Sequence, residues 1–453
     1  MIEQILPQNS TQKNSPNPLE ELLAETRVVI QSLFPQATEW SLKLDFTAPP
    51  AHVRADYSFS TYELAVIVGS APEFCAHEIV KRFQESKSLH LTSIEAVGAH
   101  INLEVNKKYF LKRAVEYICN GKGSHTEDSN PLSESGLIHC VPTRQISNLD
   151  VLRMVLVGAV VTECYKRVSR EVFHTWYLPL DSEKVGFGIS DFLKRANQHV
   201  LKFSEDELSS TKTAMVDTAL EVGVVEHIYH TNAIVSTSIA VPPVLLVKND
   251  GTITDFMRHL SSLKLSNSKT KLSTFIFISL QNQVDTMGSF LVHAKYFHTI
   301  APDTECRSIF ITETAHEELP SKVDESYCYA ILRTPLYKEI CLTSESLLQF
   351  SYLKSVVAQL KTRVEVGVLN NSAFEIIKLL IIFPKVTSDM RYAGDPSILC
   401  KYLEEVAEKS KNLKDCNVQL VQCIKIVLEN GLDYLNLQKF VALEIHKSHK
   451  KSE

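Results

Sequence analysis

The 453-residue sequence predicts a multi-domain α/β chain that ends in an all-α region. Two observations support this prediction. Up to about residue 342, segments rich in β-branched and aromatic residues alternate with segments of helical length, as in layered α/β folds. From residue 343 onward, apolar residues recur at i, i+3, i+4 and i+7, for example at Leu353, Val356, Val357 and Leu360, which is typical of a helical bundle.

Composition and charge narrow the class of protein. The hydrophobic fraction of 44% and the charged fraction of 22% are those of a soluble globular protein. Because the formal net charge is −6, any nucleic-acid binding has to come from local basic patches. The ten cysteines are scattered without a CxxC pair, and the N-terminus lacks a basic segment followed by an apolar run. We therefore predict reduced thiols, no metal site, no cofactor, no membrane segment and a cytoplasmic location.

Domain boundaries are predicted from shifts in composition. The first residues are polar, contain proline and lack periodicity, and the segment GKGSHTEDSNPLSESG has the composition of a linker. The predicted ranges are a disordered arm at 1–18, an α+β domain at 19–120, a linker at 121–136, a Rossmann-like domain at 137–342, a helical domain at 343–445 and a basic tail at 446–453.

Local signals predict the elements of the first domain. Ser70-Ala-Pro-Glu73 has the pattern of a capping box and precedes an apolar stripe that predicts a helix. The segment SIEAVGAHINLEV, residues 93–105, predicts a strand, and YFLKRAVEYI, residues 109–118, predicts another helix.

The middle region alternates predicted strands with a long helix. The strands are GLIHCV at 136–141, PPVLLVKNDG at 242–251 and LSTFIFISL at 272–280, and the helix is VLRMVLVGAVVTECYKR at 151–167. This succession of a strand, a loop, a long helix and further strands indicates a Rossmann-like α/β layer structure. The sequence does not give the order of the strands in the sheet. In the helical region, Asp395 is a predicted N-cap before Pro396, and Gly431 predicts the end of a helix.

Segments at both ends of the chain resemble arginyl-tRNA synthetases. RADYSFSTYELAVIVGSAPEFCAHEIVKRF, followed by VGAHINLEV, resembles their N-terminal add-on domain, which grips the tRNA elbow. LQFSYLKSVVAQLK and LLIIFPKVTSDMRYAGDPSILCKYLEEVAEKS resemble the anticodon-binding domain named for its Asp-Ala-Leu-Arg motif, although Pro396-Ser-Ile-Leu399 stands where that motif would be. The resemblance implies tRNA binding through the first and last domains and a class I synthetase-type middle domain.

Between these segments, ISNLDVLRMVLVG (146–158) resembles the family's HVGHLRS loop but departs from it where ATP is handled. The retained residues are Leu152, Arg153 and Gly158, while Asn148 and Val151 stand at the histidine positions and Asp150 at the glycine position. The histidines donate hydrogen bonds to phosphate charge in the transition state, which valine cannot do. An aspartate adds like-charge repulsion. The resemblance therefore predicts a degenerate ATP loop and no catalytic residue.

The family's second signature, a lysine-rich KMSKS-type loop, is not identifiable, because Lys271-Leu-Ser-Thr274 runs directly into a predicted strand. This combination resembles the DALR anticodon-binding domain-containing proteins, non-catalytic relatives that present arginine tRNAs to a methyltransferase making 3-methylcytidine. The resemblance implies a protein that is not an enzyme, with arginine tRNA and a tRNA methyltransferase as partners and with no membrane or DNA. A divergent active arginyl-tRNA synthetase and a structural subunit of a larger assembly remain alternatives.

Basic residues beside aromatic ones are candidate RNA contacts, because a cation neutralises phosphate while a ring stacks on an unpaired base. In the helical region the candidates are Tyr352, Lys354, Lys361, Arg363, Lys401, Lys409, Lys411 and Lys414. The resemblance adds Asp56, Tyr57 and Asn102, at the positions of the add-on domain's GDY and GFIN-like elements. Glutamates interleave the lysines of residues 401–414, as they do on a solvated helix face, so a role without RNA is also open.

Overall fold

A computed structural model of the chain describes residues 16–50, 52–120, 132–140, 148–176, 205–221, 225–228, 231–236, 242–269, 272–301, 304–314, 322–360, 371–411, 418–437 and 443–444. The chain divides into two compact units. The first unit comprises 1–125, 357–383 and 408–430, and the second comprises 126–356, 384–407 and 431–453. Residues of the C-terminal helical region therefore belong to both units. The predicted basic tail, residues 1–15 of the predicted arm and residues 121–131 of the predicted linker lie outside the described residues.

The N-terminal part of the first unit is an antiparallel three-stranded sheet with helices packed on it. The strands are β1 (Tyr57–Ser60), β2 (Leu91–Val97) and β3 (His100–Val105), in the order β1-β3-β2. The helices are α1 (Pro18–Leu33), α2 (Thr38–Leu42), α3 (Tyr62–Val68), α4 (Pro72–Ser86) and α5 (Lys107–Asn120). Fully buried side chains from both layers, among them Leu22, Ile30, Ile79, Ile101, Leu103 and Phe110, form the core.

The predicted capping box at Ser70 is wrong. Helix α4 begins at Pro72 and its N-cap is Ala71, whose side chain offers no acceptor. Ser70 instead belongs to the turn that closes α3, because its amide donates to the carbonyl oxygen of Ala65 (3.1 Å). A residue that finishes one helix is thus not available to begin the next.

The segment at 93–105 is a hairpin rather than the single predicted strand. Val97 pairs with His100, so Gly98 and Ala99 form a two-residue loop between β2 and β3. Gly98 has a φ of +58°, in the left-handed region that such tight loops require and that glycine adopts without strain.

The second unit contains a four-stranded parallel sheet. Its strands, β4 (Leu132–Cys140), β5 (Ser169–Trp176), β9 (Leu272–Leu280) and β10 (Glu305–Ile311), lie in the order β10-β9-β4-β5. Every neighbouring pair is parallel. Helix α6 (Asn148–Val168) connects β4 to β5, as parallel pairing requires. This arrangement confirms the predicted α/β layer, and β4 begins within the predicted linker.

A smaller antiparallel sheet lies between β5 and β9 in the chain. It consists of β6 (Val225–His227), β7 (Ile234–Ser236) and β8 (Leu245–Val247). The helices of this part are α7 (Glu205–Glu221), α8 (Asp255–Lys269) and α9 (Val284–Tyr296). The predicted strand at 242–251 is thus limited to three residues, because two prolines without amide hydrogens precede it and an Asp250-Gly251 turn follows it.

The remaining described elements are helices and one short strand pair. The helices are α10 (Glu325–Arg333), α11 (Ser344–Leu360), α12 (Asn371–Ile381), α13 (Phe383–Ala393), α14 (Ser397–Lys411) and α15 (Val418–Leu435). Strands β11 (Lys322–Val323) and β12 (Leu443–Glu444) pair antiparallel. Within the described residues, no helix combines the length and the apolar character that crossing a membrane would need.

Two predictions about helix ends have opposite outcomes. The Asp395 carboxylate accepts a hydrogen bond from the Ser397 amide (3.0 Å), which confirms Asp395 as the cap of α14. The predicted stop at Gly431 is wrong, because α15 continues to Leu435. A β-carbon at Gly431 would lie 2.4 Å from Cδ2 of Leu403, so this glycine allows close packing against α14.

Helix α12 packs in the first unit, against α5. The ring centroids of Phe110 and Phe374 lie 5.8 Å apart, and the side-chain amide of Asn17 donates to the carbonyl oxygen of Ile381 (3.0 Å). Helix α12, from the C-terminal region of the chain, therefore contributes to the hydrophobic core of the first unit.

Candidate functional site

The start of helix α6, where the sequence resembles an ATP loop, lies in the protein interior. Asp150, Val151, Leu152 and Arg153 each expose 2% or less of their surface. The next two turns are buried as well, because the helix is apolar on all faces. The preceding residues 141–147 and the side chain of Asn148 lie outside the described part of the chain.

The Arg153 guanidinium binds backbone carbonyl groups of two loops. Its Nη1 donates to the carbonyl oxygens of Thr312 (3.2 Å) and Lys338 (2.9 Å). Its Nη2 donates to those of Thr334 (3.1 Å) and Pro335 (2.7 Å). The planar fork of arginine suits such an array of acceptors. Burial lowers the pKa of Arg153 to about 10, so the side chain stays charged at neutral pH.

Asp150 lies beside this arginine. Its carboxylate accepts a hydrogen bond from the Thr314 amide (3.1 Å). Together with Asp395, its negative charge favours the protonated form of Arg153. The two carboxylates compensate the charge of Arg153 within the fold, and Asp150 holds the strand exit at residue 314 against helix α6.

Gly158, the last of the retained positions, lies within α6. Its carbonyl oxygen accepts a hydrogen bond from the Thr162 hydroxyl (2.6 Å). Leu152 and Val151 pack in the core. The four positions from Asp150 to Arg153 and the position of Gly158 are therefore all buried inside the second unit.

The predicted contacts of the helical region differ in their environment. The Lys354 ammonium pairs with the Glu325 carboxylate and lies 4.7 Å from the Phe350 ring centroid. Tyr352, on the same helix, is half-buried. Along α14 the exposed lysines are Lys401, Lys409 and Lys411, whereas Lys361, Arg363 and Lys414 lie outside the described residues.

Asp56, Tyr57 and Asn102 are buried in the N-terminal sheet. The Asp56 carboxylate accepts a hydrogen bond from the Val105 amide (3.0 Å). Burial raises the pKa of Asp56, and the Val105 amide and two nearby lysines oppose this shift. The hydrogen bond explains Asp56, and burial in the sheet gives Tyr57 and Asn102 a structural role as well. Contact of the three residues with RNA stays a prediction.

A cation–aromatic pair that the sequence does not predict combines an exposed tyrosine ring with a half-buried guanidinium. Tyr392, in the last turn of α13, is 75% exposed, and the guanidinium carbon of Arg307 lies 4.7 Å from its ring centroid. Arg307, on β10, also binds the Glu305 carboxylate through Nε (2.7 Å). An exposed ring held by a guanidinium can stack an unpaired base while the cation attracts phosphate. The two residues are 85 positions apart (392 − 307), so no local pattern connects them.

The turn after α13 positions this pair. Gly394 has a φ of +67° and lies so close to β10 that a β-carbon there would be 2.2 Å from Cδ1 of Ile309. Arg307 and Ile309 point to the same face of β10, because side chains alternate along a strand. The turn therefore rests on Ile309 and brings Tyr392 over Arg307.

A second arginine–tyrosine contact is structural. The guanidinium carbon of Arg167 lies 3.8 Å from the ring centroid of Tyr434, which is buried. Two carboxylates, Asp433 (2.6 Å) and Glu163 (3.5 Å), compensate its charge. Arg167 therefore connects the end of α6 to α15, and it is a weaker candidate for an RNA contact than Arg307. Among the described residues, no group of three or more His, Cys, Asp and Glu side chains is arranged to hold a metal ion.

The fold is similar to that of solved arginyl-tRNA synthetases. The Thermus thermophilus enzyme matches with a TM-score of 0.63 at 13% identity, over 92% of this chain and 99% of its own. The Plasmodium falciparum enzyme matches with a TM-score of 0.69 at 9% identity, over 96% of this chain and 100% of its own. No family model matches the sequence, and no curated protein sequence matches it. At these identities the likeness establishes an arginyl-tRNA synthetase-like fold.

Proposed function

We propose that this protein binds tRNA, with arginine tRNA as its ligand, and does not aminoacylate it. The observation that carries the proposal is the environment of Asp150, Val151 and Arg153. At positions where the resembling loop would act on ATP, these side chains are buried and contribute to the core or to hydrogen bonds within the fold.

The chemistry of aminoacylation supports the same conclusion. Adenylate formation needs preorganised donors around the phosphates, and loss of one such donor costs about a hundredfold to a thousandfold in rate. Val151 has no polar group to donate, and Arg153 directs both of its terminal nitrogens at backbone carbonyls. A nucleotide would have to displace these contacts to approach the start of α6.

The tRNA-binding part of the proposal rests on the synthetase-like fold and on local basic groups. Because the net charge is −6, attraction to RNA has to come from particular surfaces. In the second unit the half-buried Arg307 beside the exposed Tyr392, together with the exposed Lys401, offers such groups. The synthetases that share the fold are named for the same tRNA.

A finer step of the proposal concerns what happens to the bound tRNA. The resemblance of residues 137–170 to DALR anticodon-binding domain-containing proteins, with the family's histidines replaced, supports presentation to a methyltransferase that makes 3-methylcytidine. We propose that the chain supplies tRNA recognition and that the partner supplies the reaction. The location would be the cytoplasm, in keeping with the scattered cysteines.

The test measures binding of labelled arginine and non-arginine tRNAs by the purified full chain, with an arginylation assay on the same samples. We expect selective binding of arginine tRNA that weakens steeply as salt rises, because counterions are released on binding, and no charging. ATP-dependent charging would instead establish a divergent active synthetase. No binding to any tRNA, together with salt-insensitive association with other proteins, would favour the assembly-subunit alternative.

The methyltransferase step needs its own measurement. Addition of the full chain should raise 3-methylcytidine formation in arginine tRNA by a purified 3-methylcytidine methyltransferase and leave a non-arginine tRNA unchanged. If the chain binds arginine tRNA selectively but stimulates no methyltransferase of this class, the proposal of tRNA binding is kept and the proposal of a methyltransferase partner is rejected.

A further inference from the structure

Two cysteines from distant parts of the chain are in contact within the first unit. Cys119 lies in the last turn of α5 and Cys423 lies in α15, and their sulfur atoms are 3.6 Å apart. Cys423 is fully buried, whereas Cys119 is partly exposed. The arrangement therefore offers one sulfur that a reagent can reach and a second sulfur directly behind it.

The electrostatics of the pair favour reaction at Cys119. The hydrogen bond with Cys423 lowers the pKa of Cys119 and outweighs the opposing effect of burial, while the same bond raises the pKa of Cys423. The thiolate is the nucleophile in thiol–disulfide exchange, so the partly exposed Cys119 reacts first.

The other buried cysteines are in a different environment. Burial raises the pKa of Cys164 to about 12, and it also raises the pKa of Cys328 and Cys400. Buried thiols of this kind react slowly. Cys341 is exposed and serves as an internal measure of simple accessibility.

We propose that Cys119 and Cys423 are a site of reversible oxidation that joins α5 to α15 through a disulfide, with a low-molecular-weight disulfide such as glutathione disulfide as the oxidant. A disulfide bond is about 2.05 Å long, so the sulfur atoms have to approach by about 1.5 Å, a movement within the reach of side-chain rotation.

The reaction proceeds in two balanced exchanges. The Cys119 thiolate attacks one sulfur of the reagent, the reagent's S–S bond breaks, and one small thiol leaves with the proton that Cys119 lost. Cys423 then loses its proton and attacks the Cys119 sulfur, and the second small thiol leaves with that proton. The protein is oxidised by two electrons and the reagent is reduced to two thiols.

The cross-link would change the first unit because it joins residues 304 positions apart. A bridge across so long a stretch removes many conformations from the unfolded chain and stabilises the folded one. In a reducing compartment the dithiol form prevails, and the bridge forms when the ratio of disulfide to thiol rises.

The experiment exposes the full reduced chain to glutathione buffers of increasing oxidation and maps its peptides by mass spectrometry without reduction. We expect a peptide pair that joins Cys119 to Cys423, a rise in Tm on the order of 5 °C, and reversal of both by dithiothreitol. The variant C341S should keep the cross-link, whereas C119S and C423S should lose it.

Two results would overturn the proposal. One is a lasting glutathione adduct on Cys119 with no cross-linked peptide, which would show that the second sulfur cannot complete the exchange. The other is an unmodified Cys119 under conditions that fully modify Cys341. Both are read from the wild-type chain and do not depend on whether a variant folds.

Discussion

The carbonyl oxygen of Pro335 accepts a 2.7 Å hydrogen bond from Nη2 of Arg153, an arginine whose side chain is completely buried. Arg153 stands at the arginine position of the family loop that the sequence resembles, and both of its terminal nitrogens bind backbone carbonyls within the fold. Its contacts extend to residues 159 to 185 positions further along the chain. The arginine therefore fixes the loops around residues 312 and 334–338 to the start of α6.

Replacement of Arg153 by methionine should destabilise the protein. Four carbonyl groups would lose their donor in the interior, so we expect the free energy of unfolding to fall by about 3 kcal/mol. Urea unfolding of the full chain, followed by tryptophan fluorescence and circular dichroism, measures this change.

Arg153→Lys is the matched control. A lysine keeps the charge but cannot present donors in a planar fork to four carbonyls, so it should lie between the wild type and Arg153→Met in stability. If Arg153→Met unfolded at the wild-type urea concentration, the guanidinium would not be a structural element, and its retention would need a functional explanation.

Helices and strands could be predicted from the sequence better than the contacts between them. Helix α6 and strand β9 have strong local patterns, and the capping carboxylate of Asp395 acts on a residue two positions away. The packing of α12 against α5 and the contact of Arg307 with Tyr392 join distant segments. Contacts between segments far apart in the chain leave no local periodicity in the sequence, so they could not be predicted from it.

The candidate site shows the same division. The burial of Asp150 and Val151 could be predicted, because they lie on a helix that is apolar on all faces. The carbonyl groups that Arg153 binds could not be predicted, because they belong to loops with no distinctive sequence. The Ser70 error has a related cause, because the capping pattern competes with the turn of the preceding helix.

Tyr392→Ala should weaken tRNA binding. If the exposed ring stacks on an unpaired base, its loss costs on the order of tenfold in affinity, since each such stack is worth about 1–3 kcal/mol. Because stacking is not ionic, the loss should be similar at low and high salt. Filter binding or fluorescence anisotropy with labelled arginine tRNA at two salt concentrations measures it.

Tyr296→Ala controls for the removal of a partly exposed tyrosine from another helix of the same unit, and it should leave the affinity unchanged. Tyr392→Phe should retain most of the binding, because the ring remains. Equal affinities for Tyr392→Ala and the wild type would place the RNA contact elsewhere.

His90 should make stability depend on pH. Its Nδ1 lies 2.7 Å from the Glu25 carboxylate, and this hydrogen bond raises the pKa of His90 despite partial burial. A histidine whose folded-state pKa is raised contributes stability that is complete below its unfolded pKa of about 6.5 and is lost as pH rises through the folded value. Stability measured by urea unfolding should therefore fall as pH rises above about 6.5, the unfolded pKa of histidine.

His90→Gln isolates this contribution, since glutamine can still donate a hydrogen bond but does not titrate. Unfolding is measured at one pH below and one pH well above the unfolded pKa of histidine. The difference in unfolding free energy between wild type and variant should be larger at the lower of these two pH values. A difference of the same size at both pH values would show that the charge of His90 does not stabilise the fold.

Gly394→Ala tests how the turn after α13 positions Tyr392. Two costs add at this residue, since φ is +67° and the new β-carbon would meet Ile309 at 2.2 Å. The left-handed backbone costs about 1–2 kcal/mol and crowding about 1–3 kcal/mol. At Gly98, with a φ of +58° and no atom within 4 Å of the added carbon, only the first cost applies. Gly394→Ala should therefore lower the unfolding free energy more than Gly98→Ala does.

The double variant Gly394→Ala with Ile309→Ala separates strain from crowding. Removal of the Ile309 side chain opens space for the new β-carbon, so the double variant should be more stable than the sum of the two single changes predicts. If the turn also holds Tyr392 over Arg307, Gly394→Ala alone should weaken tRNA binding in the same direction as Tyr392→Ala. Additive stabilities together with wild-type tRNA affinity would mean that the turn adapts to the extra carbon and that the position of Tyr392 does not depend on this close approach.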